Sequence, residues 1–409
     1  MAEGAKKRPL LTALMEYSHA LPSEAELLII GGGVVGAATA FYAAQAGLQP
    51  VVVEMRPAPC SLTTPASTGA FRLQFDNLQE LELVRESVDL FLNFREHTQQ
   101  TKYDLGIRQQ GYLFCTTDPQ RLEWQRELVA QQHSWGQEDI ELLSGEEARE
   151  RFPYLGQNVL QARFRPDDGF LDPKQLTMGL LAASGATVVL DCCVTGFDLH
   201  DGRLAAVETS RGRIATAQAV IASGPFSGPV AALAGLELPH ETVRRHKLVM
   251  PELPQVPRDA PMTIDEDTGA HWRPALAGAY LLWTDPTTPP SDPSEAVQAD
   301  SQFYFSLLDP ASPTSVSRIV PFWEQVWRVN TAPWMLMAGQ YTMTPDHRPL
   351  LGPSEVEGLW LNCGYSGHGI MGSPAGSRLL VDLLIDRLPA EHNQFRFDRE
   401  FEPRELDIL

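Results

Sequence analysis

Three closely spaced glycines are the first residues in this chain that could do chemistry. Gly31, Gly33 and Gly36 form a G-x-G-x-x-G pattern directly after the apolar run at residues 27–30. In such a pattern the first glycine permits a tight turn, the second lets a pyrophosphate approach the backbone, and the third lets a helix lie close to the strand. Glu54 ends the next apolar run, roughly 20 residues downstream, where an acid binds a ribose hydroxyl. The spacing predicts a bound dinucleotide, and a glycine turn in an ordinary α/β unit is the alternative.

The composition limits which other classes of protein the chain can belong to. With 409 residues, 43% of them hydrophobic and 21% charged, the chain is long enough for two domains and a large core. Its net charge of -20 argues against a nucleic-acid partner, because like charges would repel. The 5 cysteines are odd in number and lack metal-ligand spacing, which favours a reducing cytoplasm over a disulfide framework. No apolar run has the length of a membrane span.

Strands and helices alternate at both ends of the chain. Apolar periodicity and turn residues predict strands at 27–30, 50–54, 217–224 and 359–362, and helices at 37–47, 121–132, 173–184 and 373–385. Residues 249–338 are rich in proline and in short strand-like pieces, which indicates a separate β-rich domain. Residues 9–21 are predicted to form a short amphipathic helix ahead of the first strand.

Because the α/β pattern of the start returns near the end, the nucleotide domain is predicted to be discontinuous. It comprises residues 26–100, 155–235 and 336–395, and a substrate domain comprises residues 101–154 and 236–335. Residues 1–25 are expected to form an N-terminal extension and residues 396–409 a C-terminal tail.

Four motifs in a fixed order carry a family resemblance that covers about residues 27–388. They are the glycine turn with Glu54, Ser67-Thr68-Gly69-Ala70-Phe71-Arg72, Ala222-Ser223-Gly224, and Thr344-Pro345-Asp346 with Ser366-Gly367-His368-Gly369. Together they resemble the flavin-dependent amine oxidoreductases of the D-amino-acid oxidase and sarcosine oxidase superfamily. The segments Phe71-Arg72-Leu73-Gln74-Phe75 and Gly111-Tyr112-Leu113-Phe114 are most similar to the sarcosine oxidase β-subunit and the dimethylglycine or proline dehydrogenase branch.

The resemblance implies an α/β, Rossmann-like FAD-binding domain, discontinuous in sequence, beneath an α+β substrate domain rich in β-sheet. It assigns FAD contacts to Gly31, Gly33, Val34, Val35, Gly36, Glu54, Met55, Ser67, Thr68, Arg72, Leu73, Val194, Ala222, Gly224, Gly339, Gly364, Gly367, His368, Gly369, Ile370 and Met371. The catalytic candidates are Arg72, His368, Arg273 and Tyr280, and no metal is expected.

Arg72 and His368 are expected beside the flavin. The positive charge of Arg72 would favour the reduced ring, and a surface salt bridge is its alternative role. The helix after Gly369 would direct its N–H groups at the negative charge that develops near flavin N1. His368 is expected to shape this loop, and a purely structural histidine is the alternative.

Several positions depart from the family pattern. Monomeric sarcosine oxidases attach FAD through a cysteine that matches Gly339, and heterotetrameric enzymes attach FMN through a histidine near the position of Asp172. Since neither nucleophile is present, FAD is expected to be non-covalent. The arginine and lysine that bind the substrate carboxylate in monomeric sarcosine oxidases match Phe75 and Met371, and the lysine that activates oxygen falls near Tyr280. Both the carboxylate contact and the electron acceptor therefore have to be sought elsewhere.

Two residues of the β-rich segment are the candidate replacements. Arg273 offers a bidentate fork to a carboxylate, with a structural ion pair as its alternative, and His246 is the second candidate. Tyr280, Trp283 and Tyr365 are candidate walls of an apolar amine pocket, and core packing is the alternative for each.

Three functions remain open at this point. The first is oxidation of a secondary or N-methylated amino acid, of the sarcosine, dimethylglycine or proline type, to an imine by hydride transfer to flavin N5. The second is oxidation of glycine or a D-amino acid, and the third is a non-catalytic flavoprotein with a role in assembly. The expected partners are a small amine or amino acid and either oxygen or another electron acceptor.

Overall fold

The computed structural model describes residues 17–329 and 331–402. The strands are, in chain order, β1 Tyr17–Ser18, β2 Leu27–Ile30, β3 Pro50–Val53, β4 Ala70–Phe71, β5 Arg108–Gln109, β6 Tyr112–Thr116, β7 Glu141–Ser144, β8 Gln161–Arg165, β9 Gly169–Phe170, β10 Thr187–Val189, β11 Val194–His200, β12 Arg203–Thr209, β13 Gly212–Ala215, β14 Ala219–Ile221, β15 Glu241–Met250, β16 Met262–Asp265, β17 His271–Ala275, β18 Gly278–Leu282, β19 Met335–Met343, β20 Leu350–Pro353 and β21 Leu359–Cys363.

Most of the helices lie outside the stretch that was predicted to be β-rich. They are α1 Val34–Gln45, α2 Thr63–Ala66, α3 Leu78–Leu92, α4 Phe94–Thr98, α5 Arg121–Ser134, α6 Gly145–Arg151, α7 Pro173–Ser184, α8 Ser227–Ala232, α9 Gln302–Leu308, α10 Phe322–Val329 and α11 Gly369–Leu384. The helices predicted at 37–47, 121–132 and 173–184 are confirmed to within a few residues. Helix α11 begins four residues before its predicted start at residue 373.

A seven-stranded sheet in the order β1-β10-β3-β2-β14-β21-β20 forms the first layer. Its strands pair in parallel, except that β20 is antiparallel to β21. Strands β2 and β3 are buried along their whole length, as expected for a parallel sheet covered on both faces. Helices α1, α7 and α11 cover one face, and the small sheet β11-β12-β13 contributes to the apolar cluster on the other.

The second large sheet has eight strands in the order β19-β15-β18-β17-β16-β6-β8-β7. Its register aligns one row of core residues across seven strands, namely Phe164, Leu113, Thr263, Trp272, Leu281, Leu248 and Leu336. These side chains, apart from Thr263, pack in a cluster with α9 and α10. Since successive side chains of a strand point to opposite faces, the neighbouring rows lie on the other face. That face, which we call the polar face, carries Arg163, His271, Arg273, Tyr280, Lys247 and Arg245.

The structure differs from three sequence expectations. The helix predicted for residues 9–21 falls mostly on residues 1–16, outside the described residues, and its described part contains the strand β1 instead. Two residues, Tyr17 and Ser18, pair there with the free edge of β10. Strands β8 and β19, predicted to belong to the nucleotide domain, hydrogen-bond within the eight-stranded sheet. Strand pairing decided all three cases: β1 pairs with β10 and β19 with β15, which are far away in sequence, and β8 pairs with β6 and β7.

Candidate functional site

The glycine turn connects β2 to α1, as the pattern predicted. Gly31 has a φ of 116°, and a Cβ there would lie 2.6 Å from the Ala222 carbonyl oxygen. A Cβ on Gly36 would lie 1.9 Å from the Gly31 oxygen, so this residue allows α1 to rest on the turn. Gly33 is different, since a Cβ there would meet only the Thr64 hydroxyl, at 3.4 Å. The fold requires glycine at 31 and 36, whereas at 33 the space is left for a ligand.

Glu54 lies at the end of β3, next to this turn. Its carboxylate accepts hydrogen bonds from the N–H groups of Gly32 at 2.7 Å and Arg56 at 2.9 Å. Burial raises the pKa of Glu54, and the two backbone N–H groups oppose that shift. The acid is therefore held in a fixed position at the wall of a cavity.

This cavity has a volume of about 370 Å³ and extends from the glycine turn to the loop before α11. Fourteen of the predicted cofactor contacts line it: Gly31, Gly33, Val34, Val35, Glu54, Met55, Ser67, Val194, Ala222, Gly224, Gly364, Gly367, Gly369 and Ile370. We call it the cofactor cavity. Thr63, Thr64 and Tyr341 also line it and were missed, because they follow no glycine motif.

At its far end the cofactor cavity meets the N-terminus of α11. The first helical hydrogen bond runs from Gly372 N–H to the His368 carbonyl, at 2.7 Å. The N–H groups of Gly369, Ile370 and Met371 precede that bond, as do the first N–H groups of any helix. These N–H groups form the positive end of the helix dipole, which favours negative charge in the cavity.

A second, smaller cavity of about 80 Å³ lies between this loop and the polar face of the eight-stranded sheet. We call it the substrate cavity. Four predicted cofactor contacts that are absent from the cofactor cavity line this one: Thr68, Arg72, His368 and Met371. Ser67, Gly367 and Ile370 line both cavities, so the two are contiguous at the start of α11. Gly36, Leu73 and Gly339, predicted as cofactor contacts, line neither cavity.

Comparison with known protein families identifies the cofactor for which these two cavities are built. The model of the family named FAD dependent oxidoreductase (DAO) matches residues 26–383, most of the chain. The chain belongs to the FAD-dependent oxidoreductase family. This confirms the resemblance and FAD as the cofactor.

Several characterised relatives act on amino acids, according to their names. Mouse mitochondrial sarcosine dehydrogenase is 28% identical over 401 residues, which are 93% of this chain and 42% of the relative. Mouse mitochondrial dimethylglycine dehydrogenase is 26% identical over 94% of this chain and 46% of its own length. The chain thus spans less than half the length of these relatives. Pseudomonas putida glycine oxidase is 28% identical over 53% of this chain and 54% of the relative.

Solved structures support the fold. L-proline dehydrogenase from P. horikoshii superimposes with a TM-score of 0.78 and 25% identity, covering 90% of this chain and 96% of that one. Glycine oxidase from Bacillus cereus gives a TM-score of 0.77 at 23% identity, covering 92% and 99%. The predicted combination of an α/β FAD-binding fold with a β-rich part is therefore confirmed.

The residues of the cofactor cavity fit FAD. The open space at Gly33 and the carboxylate of Glu54 suit a pyrophosphate and a ribose. The first turn of α11 suits the end of the ligand that becomes negatively charged. When bound, FAD supplies the hydride acceptor that the side chains of this chain lack.

Arg72 is buried at the wall of the substrate cavity. Only 2% of its surface is exposed, one guanidinium nitrogen donates to the Gln74 carbonyl, and the guanidinium carbon lies 4.5 Å from the centroid of the Phe75 ring. Phe75, which matches the family's carboxylate-binding arginine, serves here as an aromatic support for Arg72. Because Arg72 is buried, it does not have the alternative role of an exposed surface salt bridge.

His368 forms a buried ion pair that the sequence did not reveal. Its Nδ1 lies 2.8 Å from Oε1 of Glu80, on α3, and Asn77 donates to the other carboxylate oxygen at 2.6 Å. Burial alone would raise the pKa of Glu80, but His368, Asn77 and Arg72 together lower it to about 2. Glu80 therefore stays ionised and fixes the orientation of the imidazole.

Arg273 does not line the substrate cavity, contrary to expectation. Its guanidinium lies between the rings of Phe170 and Tyr280, 4.2 Å and 4.6 Å from their centroids. One guanidinium nitrogen donates to the Thr68 carbonyl, so the segment at residues 65–68, which comprises the end of α2 and the two residues after it, separates Arg273 from both cavities described above. Tyr280 lies beside Arg273 and is absent from both cavities as well.

The other proposed wall and carboxylate residues are distributed over the site. His246 lines the substrate cavity, but its Nε2 accepts a hydrogen bond from Asp300 N–H at 3.0 Å and its ring stacks on Phe303. Burial, together with Arg244, lowers the pKa of His246 to about 4. Trp283 lines the substrate cavity and Tyr365 the cofactor cavity.

Arg245 is the cationic residue that sequence reasoning missed. It lies on β15 opposite Gly339 and lines the substrate cavity. Among the described residues, its guanidinium donates to the carbonyls of Arg244 at 3.2 Å and Asp285 at 3.3 Å, and its buried Nε finds no hydrogen-bond partner there. Burial lowers its pKa. The sequence signal that could have revealed it is the pair Arg245 and Lys247, two residues apart in a strand that ends Leu248-Val249-Met250. Side chains two residues apart in a strand point to the same face.

Proposed function

We propose that this chain uses FAD to oxidise the C–N bond of a small secondary or N-methylated amino acid, of the sarcosine, dimethylglycine or proline type. A carbon bonded to the nitrogen would give up a hydride, for which bound FAD would be the acceptor; the substrate ammonium loses its proton, and the product is an imine, or an iminium for a tertiary amine, that water hydrolyses. The names of the dehydrogenases that align with nearly the whole chain support this class of substrate.

The observation that carries the proposal is Arg245. A buried guanidinium whose hydrogen-bond partners among the described residues are neutral carbonyls is costly, and an ionised carboxylate would compensate it. No carboxylate within the described part of the chain lies within ion-pair distance of Arg245. Arg245 is thus suited to bind the carboxylate of an amino acid, the role first assigned to Arg273.

The walls of the substrate cavity suit the remainder of such a substrate. Met262, Leu282, Met343 and Met371 line it together with Ile370. Methionine side chains adapt their shape to apolar groups, so an N-methyl group or a pyrrolidine ring finds apolar contacts there. A primary amine would place a strongly hydrated ammonium against the same side chains.

The remaining residues orient the substrate and stabilise charge. Arg72 contributes a fixed positive charge on the wall of the cavity, and the first turn of α11 adds N–H groups. Glu80 holds the ring of His368 in place, so that the loop between Gly367 and Gly369 keeps its shape. Preorganised groups of this kind need no rearrangement during the reaction.

A panel of amines under anaerobic conditions tests the proposal. We expect N-methylated amino acids or proline to bleach the yellow colour of the purified protein faster than glycine or D-amino acids. Faster reduction by primary amines would instead favour an oxidase of the second type, which the similarity to glycine oxidase supports. No reduction by any amine would favour the non-catalytic flavoprotein. Oxygen or an electron carrier added to the reduced protein then identifies the acceptor.

The odd number of cysteines supports a reducing cytoplasm as the proposed compartment. The names of the mouse dehydrogenases place those relatives in mitochondria. Among the described residues, no helix has both the length and the apolar character that a bilayer crossing requires.

A further inference from the structure

His271 lines the substrate cavity from β17, and the reaction described above gives it no role. Only 4% of its surface is exposed. Its Nδ1 lies 2.8 Å from the carbonyl oxygen of Gly269. Because a carbonyl oxygen can only accept, Nδ1 carries the proton of the neutral ring and Nε2 is left as an acceptor. Among the described residues, Nε2 has no hydrogen-bond partner.

His246, which lines the same cavity, presents the opposite hydrogen-bonding group. Its Nε2 accepts from the N–H of Asp300, so its Nδ1 carries the proton of the neutral ring. Burial lowers the pKa of His271 to about 4, and the Gly269 carbonyl opposes that shift. Both rings are therefore neutral at pH 7, and of the two only His271 offers the cavity an imidazole acceptor.

The charges around the substrate cavity favour an amine in its neutral form. Two guanidiniums, those of Arg72 and Arg245, line the cavity. Among the described residues of the lining, Glu80 is the one carboxylate, and His368 and Asn77 already engage it. Positive neighbours disfavour an ammonium, so the substrate amine is favoured to release its proton to water as it binds. A neutral secondary amine keeps one N–H, which needs an acceptor in a buried site.

We propose that His271 Nε2 accepts a hydrogen bond from the substrate N–H and thereby selects secondary over tertiary amines. This inference rests on the proposed amine oxidation and narrows its substrates to the sarcosine and proline type. With the N–H held by Nε2, the nitrogen lone pair stays free to form the C=N bond as the hydride leaves. A neutral tertiary amine has no N–H and leaves Nε2 unpaired, which a site built for a hydrogen bond rejects. A primary amine carries a further N–H against the apolar walls.

Two ring acids that no hydride can leave test this contact without turnover. Pyrrole-2-carboxylate and furan-2-carboxylate have nearly the same shape and the same carboxylate, but pyrrole has an N–H where furan has an oxygen. Titration of the FAD-loaded protein, followed through the flavin absorbance, gives both dissociation constants. We expect pyrrole-2-carboxylate to bind about tenfold more tightly or better, because Nε2 stays unpaired against the furan oxygen.

Three variants assign the preference to one nitrogen. His271→Phe keeps a ring without an acceptor and should bring the ratio of the two dissociation constants close to one. His271→Gln has a side-chain oxygen that can take the place of Nε2, so it should keep the preference for pyrrole-2-carboxylate. The matched control His240→Phe changes a half-buried histidine that lines neither cavity and should keep the wild-type ratio. The absorbance ratio of flavin to protein checks that each variant is folded and loaded.

Steady-state kinetics extend the test to substrates. The wild type should have a higher kcat/KM for sarcosine than for N,N-dimethylglycine, and His271→Phe should lose most of that preference. Equal binding of the two ring acids by the wild type, binding of neither, or an unchanged ratio in His271→Phe overturns the role of His271. A wild type that prefers pyrrole-2-carboxylate but is reduced by no amine supports the hydrogen bond and overturns the proposed oxidation instead. The two failures are thus distinguishable.

Discussion

The glycine turn and the polar face of the eight-stranded sheet enclose the two contiguous cavities in different ways. The turn contributes backbone groups, and its residues lie close together in sequence within the segment from β2 to β3. The polar face contributes side chains from strands that are far apart in sequence. A short segment can therefore specify the cofactor side, whereas the substrate side depends on the pairing of the whole sheet.

The largest effect is expected on the cofactor side, where a single substitution should abolish FAD binding. Gly33→Val is expected to abolish FAD binding, because a branched side chain would fill the space left beside the turn. The absorbance ratio of flavin to protein in the purified variant measures this. The control Gly196→Val lies on β11, where a Cβ would meet only Glu208 at 3.7 Å, and should keep its flavin. A fully yellow Gly33→Val protein would refute the assignment of the turn.

The substrate side should lose catalysis but keep its cofactor. Arg245→Met is expected to lower kcat/KM by roughly a hundredfold, since removing the charged partner of a buried carboxylate costs ~2–5 kcal/mol. FAD content should not change. Steady-state kinetics with the best amine from the panel provide the measurement.

Two neighbouring arginines sharpen this comparison. Arg244→Met, at the adjacent position of β15, and Arg273→Met, behind the segment at residues 65–68, should each keep a kcat/KM within a few-fold of wild type. If Arg273→Met loses activity and Arg245→Met retains it, the assignment of the carboxylate contact is wrong.

The Glu80–His368 pair should contribute stability that depends on pH. Because the pKa of Glu80 is lowered to about 2 in the folded protein, its contribution is full above the unfolded pKa of about 4.5 and is lost as the pH falls toward 2. Glu80→Gln should lower the free energy of unfolding at pH 7 by about 3 kcal/mol. This value follows from the difference between the unfolded and folded pKa of Glu80, because each pKa unit corresponds to ~1.4 kcal/mol. Urea unfolding at pH 7 and pH 3.5 should show the difference shrinking at the lower pH.

Glu82→Gln is the matched control for that measurement. Glu82 is exposed on the same helix, so its substitution should change stability by less than about 0.5 kcal/mol at either pH. A difference between wild type and Glu80→Gln that is equal at the two pH values would contradict the role of the ion pair.

The smallest expected effect concerns the linkage of the flavin. Gly339 stands where monomeric sarcosine oxidases carry the attaching cysteine, so precipitation with trichloroacetic acid should leave FAD in the supernatant. The spectrum of the supernatant measures the released flavin. Yellow colour in the pellet would indicate a covalent bond, and Cys363, which lines the cofactor cavity, would be the first residue to test.

Most of the geometry of the cofactor side was predictable from local sequence. The turn at Gly31, Gly33 and Gly36, the acid Glu54 and the glycine-rich start of α11 were predictable, because each depends on neighbouring residues and on backbone geometry. The order of these motifs also predicted the family that the comparison confirmed.

The tertiary structure decided which cation reaches the substrate cavity. Arg245 and Arg273 lie on the same face of one sheet, yet the segment at residues 65–68 packs between them, and of these two arginines Arg245 lies beside the start of α11. Likewise, Glu80 meets His368 across 288 residues of chain. Neither relation has a local sequence signal, because strand register and the packing of distant segments set which side chains share a cavity.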